Sequence, residues 1–263
     1  MPDIITTSKN PTYKYIKSLQ QKKARIKEQC FTVEGIKSVS DAIHSSCEPI
    51  MVAVSEKFYS SVDYNIFKNI RTIVIKNELF DGLCETKTPQ GIIAVIKIQD
   101  KSDEHQFKCD GLYVYCDSVS DPGNLGTIIR TADAAGVDGV ILSDGCVDLY
   151  SPKTVRSSMG SFFNIDVIID KNNKLLYKLK EEGFTLYSGV LSEKSKIYLQ
   201  QDYTKPTVII IGNEANGVKE EILSISEHII IPIYGHAESL NAAVAGAIIM
   251  YEAVNQRKNI LKK

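Results

Sequence analysis

IIIPIYGHAESLN, residues 229–241, is followed without a break by AAVAGAIIMY, residues 242–251. The apolar run predicts a strand that stops at Pro232, because proline cannot donate to a strand ladder. A short polar turn follows, and the small residues after it predict a helix. Ser239 and Asn241 therefore lie where the first backbone N–H groups of a helix are exposed, and such a place suits a small ligand.

Composition narrows the possible functions. The chain has 263 residues, of which 43% are hydrophobic, so it can bury one large core or two smaller ones. With 31 basic and 32 acidic residues its net charge is -1, so any surface for nucleic acid must be local. The six cysteines form no CxxC pair and no cluster with the histidines, which predicts reduced thiols and no metal site.

Targeting signals are not visible in the sequence. The first residues lack the basic-then-apolar pattern of a signal peptide, and no apolar run approaches the roughly 18 residues that a membrane span needs. We therefore expect a cytoplasmic protein that does not enter a membrane.

Two blocks of alternating strands and helices precede the opening stretch, which predicts two α/β domains. The polar segment at 99–110 separates the blocks, so we predict domains at residues 1–104 and 105–263. The strands predicted in the first block are 31–35, 50–54, 72–75 and 92–96. The strands predicted in the second block are 112–116, 139–142, 166–169, 185–190 and 208–211. Helices are predicted after the turn at 121–126 and at 151–159 and 174–182.

The second block begins with a strand, a glycine-bearing turn, a helix and a further strand, a unit typical of a parallel sheet. Three polar turns follow predicted strands, at 121–126, 212–217 and 235–241. In a parallel sheet we expect these turns to gather at one edge, where such domains bind ligands.

Several familiar chemistries are disfavoured. The turn at 121–126 lacks the G-x-G-x-x-G fingerprint, and no stretch matches G-x-x-x-x-G-K-[ST]. The four histidines form no recognisable nucleophile or metal constellation, which argues against acyl transfer and metal-dependent hydrolysis. Taken singly, Asn124 and Ser239 are also explained as helix caps, Arg130 as a solvent-facing helical residue and Glu214 as a loop acid. Only their joint occurrence points to a site.

Three motifs together resemble a known family. N-x-G-x-x-x-R at 124–130, G-N-E-x-x-G at 212–217 and I-P-I-x-G-x-x-x-S-L-N at 231–241 are similar, in order and spacing, to the motifs of the SpoU (TrmH) branch of the SPOUT RNA methyltransferases. FTVEG at 31–35 and TPQG at 88–91 resemble the ribosomal-protein-like (L30e-like) substrate-binding domain that often precedes this catalytic domain.

This resemblance implies a fold and a reaction. The fold is an α/β N-terminal domain followed by an α/β trefoil-knot domain with a parallel sheet, an exception to the rule that chains avoid knots. The reaction is methyl transfer from S-adenosyl-L-methionine to a ribose 2'-hydroxyl of RNA. The family is generally dimeric through the catalytic domain, and packing within one chain is the alternative explanation of the small residues of the last helix.

The resemblance also implies roles for individual residues. Those assigned to catalysis are Arg130, Asn124, Glu214, Ser239 and Asn241. Those assigned to the cofactor pocket are Gly189, Val190, Leu191, Gly212, Ile231 and Leu240. Because arginine is effectively always protonated, our hypothesis is that Arg130 grips a phosphate and stabilises the developing alkoxide, and whether it removes the proton stays open.

Residues 9–27 carry seven basic residues and no acid. They are explained either as the solvated face of an amphipathic helix, with Tyr15, Ile16, Leu19 and Ile26 buried, or as an RNA-binding patch with aromatic partners. The candidate RNA-binding residues are Lys9, Lys14, Lys17, Lys22, Lys23 and Arg25.

Three functions remain open at this point. The first is 2'-O-methylation of ribosomal RNA, favoured over transfer RNA because of the N-terminal domain. The second is a catalytically silent RNA-binding or ribosome-associated protein, which loss of a motif residue would favour. The third is methylation of a base nitrogen, against which the Ser-Leu-Asn turn and Arg130 argue.

Overall fold

The computed structural model describes residues 4–61, 69–99, 106–192 and 194–260. Two compact units are present: Met1–Gln99 with Tyr150–Phe163, and Asp100–Leu149 with Asn164–Lys263. The boundary predicted between residues 104 and 105 lies outside the described residues.

One segment departs from the predicted domain division. The sequence places the helix predicted at 151–159 in the second domain, whereas residues 150–163 pack within the first unit. Aromatic contacts explain the difference, because the rings of Tyr150 and Phe162 lie 5.0 and 5.5 Å from the ring of Phe31.

Strands and helices alternate along most of the described chain. The strands are β1 (Ile4–Ile5), β2 (Cys30–Glu34), β3 (Pro49–Ser55), β4 (Thr72–Ile75), β5 (Ile92–Lys97), β6 (Leu112–Cys116), β7 (Gly139–Ser143), β8 (Val167–Asp170), β9 (Thr185–Gly189), β10 (Lys196–Ile197), β11 (Thr207–Ile211) and β12 (Glu227–Ile230). The helices are α1 (Pro11–Ser18), α2 (Lys22–Glu28), α3 (Ile36–His44), α4 (Glu56–Tyr59), α5 (Asn77–Phe80), α6 (Pro122–Ala135), α7 (Pro152–Ser157), α8 (Lys174–Glu181), α9 (Glu220–Leu223) and α10 (Ala242–Ile260).

The sheet of the first unit has the order β1-β4-β3-β5-β2. Strands β1, β4 and β3 are parallel, and β5 is antiparallel to both of its neighbours. Both faces are covered: Ile73 and Ile75 pack in one apolar cluster with Ile16 of α1, and Val74 packs in another with Val39 of α3. Burial on both faces explains why β3 and β5 are nearly continuous apolar runs.

The start of the first unit differs from the predicted amphipathic helix. Residues 9–27 form two helices, α1 and α2, and Arg25 fills the break, donating from Nη1 to the carbonyls of Leu19 and Gln20, each at 2.8 Å. Ile16 and Leu19 are buried as expected, and Tyr15 packs partly buried against the same apolar cluster. Tyr13 is buried as well, whereas Ile26 is 58% exposed. The expected burial of Ile26 is wrong because the break changes which face of α2 meets the sheet.

The sheet of the second unit is parallel throughout the described strands, in the order β10-β12-β9-β11-β6-β7-β8. The strands predicted in this block are confirmed as β6, β7, β8, β9 and β11. Because β12, β9, β11 and β6 are parallel neighbours, their carboxyl ends lie side by side.

Helix α10 packs against α6 and β11. A side chain at Gly246 would collide with Ile211 of β11, so the small residues permit a close approach within one chain. Ala243, Met250 and Ala253 are buried, whereas Val244 and Tyr251 are about half exposed, at 48% and 53%.

Arg257 fixes the far end of α10. Its Nε donates to the carbonyl of Tyr203 at 2.7 Å, and Nη1 donates to that of Asp110 at 2.7 Å. Its Nη2 donates to the carbonyls of Gly111 and Lys205. Burial lowers the pKa of this guanidinium. Arg257 thus joins the last helix to the residues that precede β6.

None of the helices in the described part of the chain combines the length and the apolar character needed to cross a bilayer.

Candidate active site

Three turns of the second unit meet at one edge of its sheet. The first, at 117–121, joins β6 to α6; the second, at 212–219, joins β11 to α9; and the third, at 231–241, joins β12 to α10. Hydrogen bonds connect Glu214 of the second turn to Asn124 at the start of α6, and Asn124 to Asn241 at the end of the third. The three motif segments meet as predicted, but the turn predicted at 121–126 is wrong in its bounds, because Asp121 caps α6 and the helix begins at Pro122.

Glu214 is the centre of these contacts. Its Oε2 accepts from the backbone N–H of Ser120 at 3.0 Å and from the Ser120 hydroxyl at 2.7 Å. Its Oε1 accepts from the backbone N–H of Asp121 at 3.2 Å and from Asn124 Nδ2 at 2.8 Å. Each carboxylate oxygen therefore receives two donors.

These donors determine the charge of Glu214. Partial burial alone would raise the pKa of this carboxyl, but the hydrogen bonds from Asn124 and Ser120 outweigh it and hold the pKa at about 2. Glu214 is thus ionised at neutral pH and acts as a hydrogen-bond acceptor only.

The contacts continue from Asn124 to the last helix. Asn241 Nδ2 donates to Asn124 Oδ1 at 2.9 Å, and Asn241 Oδ1 accepts from the N–H groups of Ala243 and Val244 at 2.9 and 3.2 Å. Asn241 is therefore the cap of α10. We call Ser120, Glu214, Asn124 and Asn241 the Glu214 network.

The sequence of the second turn explains its shape. Asn213 and Gly217 pair through their backbones, and Asn213 Oδ1 accepts from the N–H groups of Ala215 and Asn216, both at 3.0 Å. Gly217 has a φ of 70°, which favours glycine. A side chain at Gly212 would collide with the backbone of Gly217, so this position also requires glycine.

The first turn holds the second turn at further points. Asn213 Nδ2 donates to the carbonyl of Ser118 at 2.7 Å. Asp117 is fully buried, and its Oδ2 accepts from the backbone N–H of Lys219 at 2.8 Å. The Lys219 ammonium lies 3.5 Å from the other oxygen of the same carboxylate. Residues 117–121 therefore position most of the 212–219 turn.

Arg130 and Ser239 are not part of the Glu214 network. Both are exposed, and no residue in the described ranges forms a hydrogen bond or ion pair with either side chain. Arg130 lies six positions after Asn124, which corresponds to about 9 Å along α6 and about a third of a turn around it. The structure brings Asn124, Glu214 and Asn241 together and leaves Arg130 and Ser239 free to contact a substrate.

Comparison with known proteins places this geometry in a family. The model of the SpoU rRNA Methylase family matches residues 111–251, and that of the MRM3-like substrate binding domain matches residues 10–94. The chain belongs to the SpoU family. The predicted fold class, two α/β domains with a parallel sheet in the catalytic one, is confirmed, and the knotted path stays an expectation from the resemblance.

Individual SpoU relatives match nearly the whole chain. The chain is 36% identical to the 23S rRNA (guanosine(2553)-2'-O)-methyltransferase RlmP of Bacillus subtilis, covering 94% of this chain and 97% of the relative. It is 31% identical to the 23S rRNA (uridine(2479)-2'-O)-methyltransferase of Streptomyces viridochromogenes, covering 95% and 92%. Among solved structures, the AdoMet-bound rRNA methyltransferase from Sinorhizobium meliloti superimposes with a TM-score of 0.86 at 31% identity, covering 96% and 97%.

The cofactor candidates of this SpoU chain follow three neighbouring strands. Gly189 ends β9, Gly212 directly follows β11, and Ile231 directly follows β12. Gly189 and Ile229 are paired across β9 and β12, and Val190 donates its N–H to the carbonyl of Ile229 at 2.9 Å. Leu191 and Leu240 are exposed by 58% and 37%, which leaves apolar surface uncovered beyond two of these strands.

The basic candidates of α1 and α2 divide into two groups. Lys9, Lys14, Lys17, Lys22 and Lys23 are exposed. Arg25 is only 4% exposed and is bonded to the break between the helices, so its assignment as an RNA contact is wrong. Tyr13 is also buried, with its hydroxyl donating to the carbonyl of Leu79 at 3.2 Å, and is not available for stacking.

Sequence reasoning missed three residues of this SpoU site: Asp117, Ser120 and Asp121. Asp121 caps α6 by accepting from the N–H of Asn124 at 2.8 Å. The sequence alone had offered Asn124 as the residue that caps this helix. The Asp-Pro step at 121–122 was the available signal, because an acidic cap followed by proline is typical of a helix start.

The SpoU domain and the substrate-binding domain contain, in their described residues, no group of three or more His, Cys, Asp or Glu side chains placed to bind a metal ion.

Proposed function

We propose that this protein transfers a methyl group from S-adenosyl-L-methionine to a ribose 2'-hydroxyl of ribosomal RNA. The observation that carries the proposal is the Glu214 network, which joins the three motif turns at one sheet edge. The relatives named as 23S rRNA 2'-O-methyltransferases support the choice of substrate and reaction.

The residues at the strand ends fit the cofactor. Gly189 is exposed at the end of β9, so its backbone is accessible to a ligand there. Leu191 and Leu240 offer exposed apolar surface to flank an adenine, and Gly212 and Ile231 contribute backbone polar groups at the ends of β11 and β12. The named AdoMet-bound relative supports this assignment. Bound S-adenosyl-L-methionine supplies an electrophilic methyl group.

The Glu214 network positions the 2'-hydroxyl. Asn124 and Asn241 each use one side-chain N–H within the network and retain a second for an oxygen of the substrate. Glu214 orients Asn124 and does not remove the proton, because its oxygens already accept four hydrogen bonds and its pKa is about 2. Ser239 adds an exposed hydroxyl to the turn at 231–241, which also carries Asn241.

Arg130 supplies a positive charge further along α6, the helix whose first turn carries Asn124. Its guanidinium is exposed, so it is available to hold a phosphate of the RNA and to stabilise the alkoxide that develops as the hydroxyl attacks. Positioning of this kind supplies much of the rate enhancement in a transfer that needs two groups in line.

The first domain binds the RNA. Its match to the MRM3-like substrate binding domain supports this role, as do the exposed candidate lysines at positions 9, 14, 17, 22 and 23. Contacts of lysine with phosphate position the RNA without reading its sequence.

We also propose that the protein forms a homodimer through its second domain. Val244 and Tyr251 lie seven residues apart on α10, and therefore on one face, and both are about half exposed. Light scattering on the purified protein tests this point, with a monomer mass counting against it. The cytoplasmic location stays a prediction.

The decisive experiment maps 2'-O-methyl groups in ribosomal and transfer RNA. Cells with the gene, without it, and with an Asn241→Asp variant are compared. We expect one ribosomal position to lose its methyl group in the second and third strains. A change confined to transfer RNA would overturn the choice of substrate, and an unchanged map would favour a catalytically silent RNA-binding protein.

A further inference from the structure

Ser120 holds the Glu214 carboxylate through two separate groups. Its backbone N–H and its hydroxyl both donate to Glu214 Oε2, at 3.0 and 2.7 Å. Of the four donors to this carboxylate, only the Ser120 hydroxyl and Asn124 Nδ2 belong to side chains. The Ser120 hydroxyl is therefore the one donor to Oε2 that a substitution can remove.

Glu214 needs such a contact because of where it lies. It is exposed in the 212–219 turn, whose backbone is fixed by Asn213 and Gly217. A fixed backbone does not choose a rotamer for an exposed glutamate, and ordering a long side chain costs conformational entropy. Hydrogen bonds to a charged acceptor offset this cost, and the short hydroxyl contact is suited to do so.

The orientation of Glu214 is passed on to both asparagines. Because the ionised carboxylate can only accept, it fixes Asn124 with Nδ2 towards Oε1 and Oδ1 towards Asn241. The orientation of Asn241, at the other end of the network, is fixed in the same way. The backbone N–H groups of Ala243 and Val244 are donors only, so they hold the Oδ1 end of the amide towards the helix. The free N–H of each amide then points in one defined direction.

A purely stabilising role would look different. Ser120 and Glu214 are exposed, and exposed polar pairs contribute little to folding stability. If stability were its only role, loss of the hydroxyl would lower the unfolding temperature slightly and leave the reaction unchanged. If the hydroxyl orients Glu214, its loss would also slow the reaction, which a small loss of stability does not do.

We propose that Ser120 is a positioning residue for methyl transfer: its hydroxyl holds the Glu214 carboxylate in the orientation that aligns the Asn124 and Asn241 amides with the substrate. This inference rests on the proposed function. It concerns a residue outside the three motifs that mark the family.

Ser120→Ala, Ser120→Thr and Ser224→Ala test the proposal. Threonine keeps the hydroxyl, and Ser224 offers a matched control because its hydroxyl donates to the carbonyl of Glu221, away from the Glu214 network. Steady-state transfer to total ribosomal RNA from cells lacking the gene is measured for each. We expect Ser120→Ala to lower kcat about tenfold with KM for RNA unchanged, the size of effect that one hydrogen bond to a charged group has.

A second measurement does not depend on activity. The Glu214 carboxyl is followed by ¹³C NMR during a pH titration, with its signal assigned from Glu214→Gln. The charged groups of the first turn, the Asp117 and Asp121 carboxylates, and the Lys219 ammonium beside Asp117 are retained in every variant. We expect the pKa of Glu214 to rise by about one unit in Ser120→Ala and to stay at its wild-type value in Ser120→Thr and Ser224→Ala.

The outcomes separate the two proposals. If the wild type methylates RNA and Ser120→Ala has an unchanged kcat, the positioning role is overturned while the proposed function stands. If the wild type transfers no methyl group, the proposed function fails, and an unshifted Glu214 titration in Ser120→Ala then overturns the orienting contact independently. A lowered kcat that Ser120→Thr does not restore also counts against the hydroxyl.

Discussion

The Glu214 network and the lysines of α1 and α2 use polar side chains in opposite ways. In the network, hydrogen bonds lead from Ser120 through Glu214 and Asn124 to Asn241 and into the start of α10. The lysines of α1 and α2 are exposed and project separately from their helices. One substitution in the network should therefore disturb several groups, whereas lysine substitutions should have small and additive effects.

Among the substitutions that test this contrast, Asn241→Asp should slow methyl transfer the most. A carboxylate keeps the acceptor that caps α10, but it puts an oxygen where Nδ2 donates to Asn124. We expect transfer to fall by roughly 100-fold or more, in line with the loss of a fixed donor at a reacting oxygen, with an unchanged unfolding temperature. Asn241→Ala is the comparison variant, and losing the cap as well should destabilise it by about 1 kcal/mol. Equal activity of Asn241→Asp and wild type would contradict the network's role.

Arg130→Lys should have the next largest effect. The substitution keeps the charge and loses the planar fork, and no described residue depends on this guanidinium for a contact. We expect turnover at neutral pH to fall at least about tenfold, without a change in thermal unfolding. Near-normal turnover would count against a fork-dependent role.

Arg25 and Lys22 provide a matched pair on α2. Arg25→Ala leaves the carbonyls of Leu19 and Gln20 without their donor, so we expect a loss of about 2 kcal/mol in the free energy of unfolding. Lys22→Ala should leave stability unchanged and lower the slope of log K against log salt for RNA binding by about 0.7. Urea unfolding and filter binding at several salt concentrations measure the two effects. A stable Arg25→Ala protein with weakened RNA binding would restore Arg25 as an RNA contact.

The pH dependence of stability should show the smallest effect. The pKa of Glu214 lies at about 2, below its ordinary value of 4.5, so the ionised form stabilises the fold above pH 4.5. This stabilisation is lost as the pH falls from 4.5 towards 2. We therefore expect the difference in unfolding temperature between wild type and Glu214→Gln to narrow over this range. Glu220→Gln, at the exposed start of α9, is the control, and a difference that stays constant with pH would contradict the assignment.

Much of the fold and part of the candidate site could be predicted from the sequence. Parallel strands followed by polar turns placed Asn124, Glu214 and Asn241 at one edge, because strand direction and turn position depend on local pattern. The burial of Arg25 could not be predicted, because the break between α1 and α2 is stabilised by that side chain itself. Ser120 was missed because its partner lies 94 residues away, a separation that no local pattern spans.

Arg257 should slow the local unfolding of the end of α10. The last turns of a terminal helix ordinarily fray and exchange their amide hydrogens rapidly. Here one guanidinium donates to four backbone carbonyls, including those of Asp110 and Gly111, which lie 147 and 146 residues earlier in the chain. The amides of α10 close to Arg257 should therefore exchange as slowly as those of the central strand β6, and releasing them should require the start of that strand to open with them.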